Sequence, residues 1–412
     1  MKHRHSLIAG SGCTVIFATI MIVSATLPLH AQTWRTMDDF QHTAGLSAVS
    51  GDIGTDPHGN LYAVGSGTTT ADGSGRVALL NVSADQGATW INLPAFPEPS
   101  WSWSHFRAFT SDASGRLFIG GNGTLAPSQV GSSLVRESVD GGVNWTTADD
   151  FDMGCADIKV HPATGDVYAS GSSATLGRVI RKRPFGASQF STVYSSGSSD
   201  VGSGWSISFH PADGRVFVTG DKPGPLWIVQ RSATGDSGSW TTVDTFYSRT
   251  EWTQGSARAS AITDAGTIYV AGWAYSTKTG KRQWLVRSSA DGGATWSISD
   301  NFSFGGATVE LSGMALDAAG NIFVCGQAAN SSGKLYWLVR KGTPTTKLVK
   351  QGGKYVQVTT VTWATSDVFQ FAPGQEARAN GVTGDDLGNV FVSGRAADVN
   401  GVDHWVVRKL TP

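Results

Sequence analysis

The chain has 412 residues, 40% of them hydrophobic, with 31 basic against 32 acidic side chains and 52 glycines. So even a balance excludes the basic face that a nucleic-acid partner demands. The apolar runs are short and lack helical periodicity between them, which excludes a large α/β enzyme.

Lys2, His3, Arg4 and His5 give the chain a positive start, residues 7–25 are largely apolar, and Leu29-His30-Ala31 supplies a cleavage site. These features predict a signal peptide over 1–31 and a mature chain, 32–412, that is secreted or periplasmic, from a bacterial cell. Removing Lys2 and Arg4 leaves 29 basic against 32 acidic residues. No second long apolar run follows, so no membrane contact is expected after cleavage. Cys155 and Cys325 lie in apolar, strand-like settings and are expected as buried free thiols.

The first strand, Thr33-Trp34-Arg35-Thr36-Met37-Asp38-Asp39-Phe40, precedes every repeat. It matches Asn144-Trp145-Thr146-Thr147-Ala148-Asp149-Asp150-Phe151 further on. Then comes Asp56-Pro57-His58-Gly59-Asn60-Leu61-Tyr62-Ala63-Val64-Gly65, a polar turn leading into an apolar strand. It returns at 112–120, 161–171, 210–220, 263–272, 317–326 and 385–394. Repetition at a spacing of about 50 residues replaces the two or three domains that length alone would suggest. A third strand follows most copies, as at Trp227, Trp284, Trp337 and Trp405. A fourth, beginning with Trp145, Trp240, Trp296 or Trp363, ends the unit. Four strands repeated seven times predict an all-β, seven-bladed β-propeller of antiparallel blades in one domain. The seventh unit stops after its third strand, so residues 32–41 are expected to close the last blade and remove two open edges.

Between the third and fourth strands stands S-x-D-x-G-x-T-W, in copies starting at Ser83, Ser138 and Ser289 and, stretched, at Ser232. Asp and Gly there make a tight turn. This is the Asp-box, and the chain resembles sialidases and other Asp-box propellers. Its D-x-x-G-N phrase is also similar to the propeller repeats of large bacterial surface proteins. Neither phrase fixes an activity, since one fold hosts many.

Turns after the first and third strands share one face of such a disc, and both are regular here. The opposite face must carry the irregular segments 94–105, 197–204, 247–254, 273–282, 302–310 and 371–378, where function is expected. Ten tryptophans recur in register and belong to packing. Trp101, Trp103, Trp205, Trp252 and Trp273 do not, and with His105 they are the binding candidates, although loop aromatics can also fold back over a core. Arg136, Arg287, Arg340 and Arg408 recur in register and are structural, as are Asp85, Asp140 and Asp291 in their turns. Arg107, Glu251, Arg258, Glu310, Glu376 and Arg378 stand out of register. Arg107, Arg258 and Arg378 would converge on the central channel and clamp a carboxylate.

The sialidase resemblance implies an arginine trio, a Tyr–Glu nucleophile pair and an Asp acid. Its F-R-I-P signature is half met by Phe106-Arg107-Ala108-Phe109, which carries over Arg107. Glu251, with Tyr247 or Tyr275 and with Asp52 or Asp157, are the remaining catalytic candidates. His105 beside Arg107 suggests a uronate polysaccharide lyase instead. No zinc, calcium or phosphate-loop spacing occurs, so no cofactor is expected. The expectation is a monomeric propeller binding a glycan or an extracellular protein, with a sialidase-like hydrolase or a lyase as the alternative.

Overall fold

The computed structural model describes residues 33–93, 101–125, 130–200, 202–224, 226–247, 250–306 and 308–412. Residues 1–32, where a signal peptide is expected, and residues 94–100 fall outside the described residues, as do the side chains of Trp101 and five others at strand ends.

The described chain is all β, arranged as five four-stranded sheets and one eight-stranded sheet. The eight-stranded sheet consists of two antiparallel sets of four, spanning 48–93 and 101–151, joined through a single parallel bridge between Arg76 and Trp103. Seven strands begin these sets: Ala48–Thr55, Trp101–Ser111, Gly154–Val160, Gly204–Phe209, Trp252–Ile262, Val309–Leu316 and Ala377–Gly384. Each touches the next, and Ala377–Gly384 touches Ala48–Thr55, so they form a closed ring. This is the architecture of a β-propeller.

The repeated residues are explained by this packing. Second strands such as Leu61–Thr68 and Ile322–Ala329 are buried along their whole length, which matches their unbroken apolar runs. Trp227, Trp284, Trp337 and Trp405 are fully buried between sheets. Asp56 closes its turn by accepting the backbone N–H groups of His58 and Asn60 at 2.9 Å, and Asp317 and Asp385 do the same in theirs. In the S-x-D-x-G-x-T-W turn, Asp291 accepts the Thr295 hydroxyl at 2.6 Å, the Thr295 N–H at 2.9 Å and the Ser289 hydroxyl at 2.8 Å, which together hold its carboxyl down at about 2. Such aspartates belong to the turn.

In-register arginines tie one sheet to the next. Arg181, Arg287, Arg340 and Arg408 each grip an aspartate of the preceding fourth strand with two nitrogens: Asp149, Asp244, Asp300 and Asp367. Each guanidinium also lies 4.0–4.2 Å over a phenylalanine ring two residues further on. Removing one partner of such a buried pair costs about 3–5 kcal/mol, because the other charge is left stranded.

Trp34–Phe40 pairs antiparallel with Asp403–Leu410, from Trp34 opposite Leu410 to Phe40 opposite Trp405. At this junction the arginine position holds Asn81, whose amide reaches Asp38 at only 3.5 Å. The sixth unit lacks the S-x-D-x-G-x-T-W turn and runs instead into a long ribbon, Leu335–Gln351 paired with Lys354–Phe369 about a Gly352-Gly353 turn. Sequence reading predicted only a strand starting at Trp363 there. Cys155 and Cys325 are buried free thiols.

Candidate functional site

Every strand of the inner ring carries a β-bulge. The pairing register slips past Gly51, Arg107, Ala156, Trp205, Arg258, Ser312 and Asn380, leaving each without a cross-strand partner. A bulge inserts one residue and re-aims it out of the ladder. The second strand must then pass close to the bulged backbone, which explains the glycine that ends each apolar phrase. A Cβ on Gly65, Gly171 or Gly326 would collide with the carbonyl oxygen of Val49, Gly154 or Glu310.

These seven residues line both of two cavities along the ring axis. The first, of about 350 Å³, also takes in Asp52, Asp157, Lys159 and the ends of inner strands nearest the regular turns. The second, of about 470 Å³, opens toward the irregular segments and adds Arg76, Trp103, His105, Arg378, Arg395 and Asp403. Arg107, Arg258 and Arg378, from three sheets, therefore share one cavity with Trp103, Trp205 and His105.

Charge is unevenly matched there. Arg378 donates to Glu310 at 2.7 Å and to Ser312 at 3.2 Å, and Arg395 donates to both Asp403 oxygens at 2.7 and 2.8 Å. Arg258 lies 3.9 Å over the Trp205 ring, whose indole N–H donates to Asp221 at 3.0 Å. Among the described residues, no acidic side chain forms an ion pair with Arg107 or Arg76. Burial, followed by the neighbouring Arg378, pulls the Arg107 guanidinium below its ordinary value. Arg76 is pulled down by burial and then Arg395, against the opposing pull of Asp403. For Arg258 and Arg378 burial again leads, and nearby guanidiniums oppose the help of Asp221 and Glu310. The cations feel one another, so an anion entering here would relieve repulsion as well as gain hydrogen bonds.

His105 accepts or donates at Nδ1 to the Ser66 hydroxyl, 2.8 Å away. Burial, Arg107 and Arg76 push its imidazole down to about 3, so it is neutral at physiological pH. At the other end of the channel Asp52 is raised to about 6 by burial, with Lys159 pulling it back and Asp157 adding to the rise. Its Oδ2 accepts the Phe109 N–H at 3.0 Å, and Asp157 likewise accepts the Ile207 N–H at 2.8 Å. Both carboxylates thereby staple one inner strand to the next.

Trp252, Trp273, Glu251, Tyr247 and Tyr275 fall elsewhere. Trp252 and Trp273 are only 5% and 4% exposed. Trp252 packs 5.9 Å from Phe246 and Trp273 sits under Arg282 at 4.0 Å, so neither indole can meet a ligand. Both tryptophans belong to strands, Trp252–Ile262 and Ile268–Ser276, which extend into the segments read as irregular, and there the aromatics turn inward. Exposed Glu251 and half-buried Tyr275 line neither cavity, and no tyrosine does. Trp101 lies outside the described side chains. Sequence reasoning missed Arg76 and Arg395 as cavity cations, because they sit on the third and second strands, where register suggests packing. The bulges were also missed, although Arg107 and Arg258 stood out as charges off the repeat.

No protein-family model matches the chain, and no curated protein does. Similar solved structures include a protein of unknown function from Dyadobacter fermentans, at 12% identity and a TM-score of 0.48, covering 92% of this chain and 99% of that one. Another is the α-L-arabinanase of Penicillium chrysogenum complexed with arabinobiose, at 11% identity and a TM-score of 0.49, covering 92% and 98%.

Proposed function

We propose that the chain is an exported, seven-bladed propeller that binds an acid-bearing glycan at the irregular-loop mouth of its channel. One observation carries the reading: Arg76, Arg107 and Arg258 share a cavity with Trp103 and Trp205 while, among the described residues, no acidic side chain forms an ion pair with Arg76 or Arg107. Guanidiniums grip carboxylates through paired donors, and indole faces suit the apolar side of a sugar ring.

Binding without turnover is favoured over catalysis. A sialidase-type reaction needs a Tyr–Glu pair facing the arginines, but no tyrosine lines the cavity and Glu310 is engaged by Arg378. A lyase needs a base near the working pH, and an imidazole at about 3 is a poor one.

The test is binding of the full chain to an array of acidic and neutral oligosaccharides, followed by titration calorimetry. Acidic glycans should bind, more weakly at high salt, and Arg107→Ala should lower affinity roughly tenfold to a hundredfold, the worth of one charge-assisted bond. Equal binding of neutral glycans, or an unchanged Arg107→Ala variant, would overturn the reading.

A further inference from the structure

Beyond Gly342 the ribbon of the sixth unit does not line the channel, and of its residues only Val361, near the base, packs against a core cluster. The neighbouring strand Ile322–Ala329 pairs no further than Gly342. From Thr343 opposite Thr362 to Gln351 opposite Lys354, the two strands pair only with each other. Almost all of this arm is solvent-exposed, and its tip displays Leu348 at 66%, Val349 at 40% and Tyr355 at 70%. Its charged residues are Lys347, Lys350 and Lys354, with no acidic residue between 343 and 362, on a chain whose net charge is −1.

We infer that this arm docks the protein onto an anionic lipid surface. The charges call for a negative partner, and the pairing register says which kind. Residues directly opposite share a face of the ribbon. Leu348 therefore lies with Tyr355, through the Lys350–Tyr355 pair, on one face, while Val349 lies with Val356 on the other. A protein surface would cover one face and leave the other apolar face wet, whereas a lipid interface surrounds both. Tyrosine suits the interface, and lysine stems can lie along apolar surface while their ammonium groups meet lipid phosphates. Both ribbon edges have unpaired backbone groups, which keeps the tip in the headgroup layer and out of the hydrocarbon. Near an anionic surface each lysine contributes on the order of fivefold in partitioning. The arm is a third-to-fourth-strand turn, so it projects from the regular face. Docking would hold the arginine cavity, on the opposite face, outward.

The experiment is co-sedimentation of the full chain, as the cell processes it, with phosphatidylcholine vesicles lacking or containing phosphatidylglycerol. The wild type should partition at least tenfold better onto anionic vesicles. K347E/K350E/K354E should lose that advantage, and L348S/Y355S should lose most of it, with melting temperatures unchanged because the arm lies off the core. Equal sedimentation of wild type and both variants, or no preference for anionic lipid, overturns the inference. So does an arm-dependent dimer or an arm-dependent complex with an acidic protein in the absence of vesicle binding. None of these outcomes depends on whether the channel binds a glycan.

Discussion

His105 reports on the charge around it. Its imidazole is driven to about 3 by burial first and then by Arg107 and Arg76. Arg107→Ala should let it rise part of the way toward 6.5, the remainder being held by burial, and an NMR titration of the ring would follow this. No rise would mean that Arg107 does not face the ring. A depressed histidine binds fewer protons folded than unfolded, so its contribution to stability is present at neutral pH and is lost as pH falls from about 6.5 toward about 3. At this scale the sequence was informative where a side chain broke the repeat, as Arg107 and Arg258 do. It was silent on Arg76 and Arg395, whose positions look like packing until the third dimension turns them inward.

At the scale of the strand, the closing element differs from its counterparts. Four fourth-strand aspartates are held by two-nitrogen arginine grips, while Asp38 on Trp34–Phe40 has the Asn81 amide where the others have an arginine. Burial accordingly raises Asp38 to about 6, against the lowering pull of Asn81. An acid raised on folding binds more protons folded than unfolded. Stability therefore falls as pH climbs from about 4 through about 6. Asp38→Asn should leave stability near pH 4 almost unchanged and add on the order of 1–2 kcal/mol at pH 7.5, after allowance for partial exposure. Thermal melts at the two pH values would check it, and equal shifts at both would sink it. The matching Asp-Asp-Phe words at 38–40 and 149–151 made this strand legible before any coordinates. The long ribbon was not legible, because the S-x-D-x-G-x-T-W turn is a local signal and its absence says nothing about what replaces it. Trp252 and Trp273 were misjudged for a related reason: irregular spelling does not prevent a segment from extending its strands.

For the whole molecule, the ring depends on its two ends meeting. A chain lacking residues 1–41 would leave Asp403–Leu410 as an open edge and strip Trp34 from the core cluster it packs against. Such an edge is a template for aggregation. The shortened chain should aggregate at concentrations where the full one stays dispersed, and a peptide spanning 33–41 should suppress this in light-scattering measurements. A shortened chain that melts like the intact one would refute the dependence. Glycines and periodic turns made the ring legible, since those positions answer to geometry shared by all units. The channel was only partly so, because its wall is built from the one residue per inner strand that owes nothing to the shared ladder. That separation has a consequence for how the protein changes. Ala156 and Ser312 can be respelled one at a time, like type in a composing stick, while Gly51, whose Cβ would meet the Phe106 carbonyl oxygen, and Asn380, which donates to the Ser50 carbonyl at 2.7 Å, belong to the frame that stays locked.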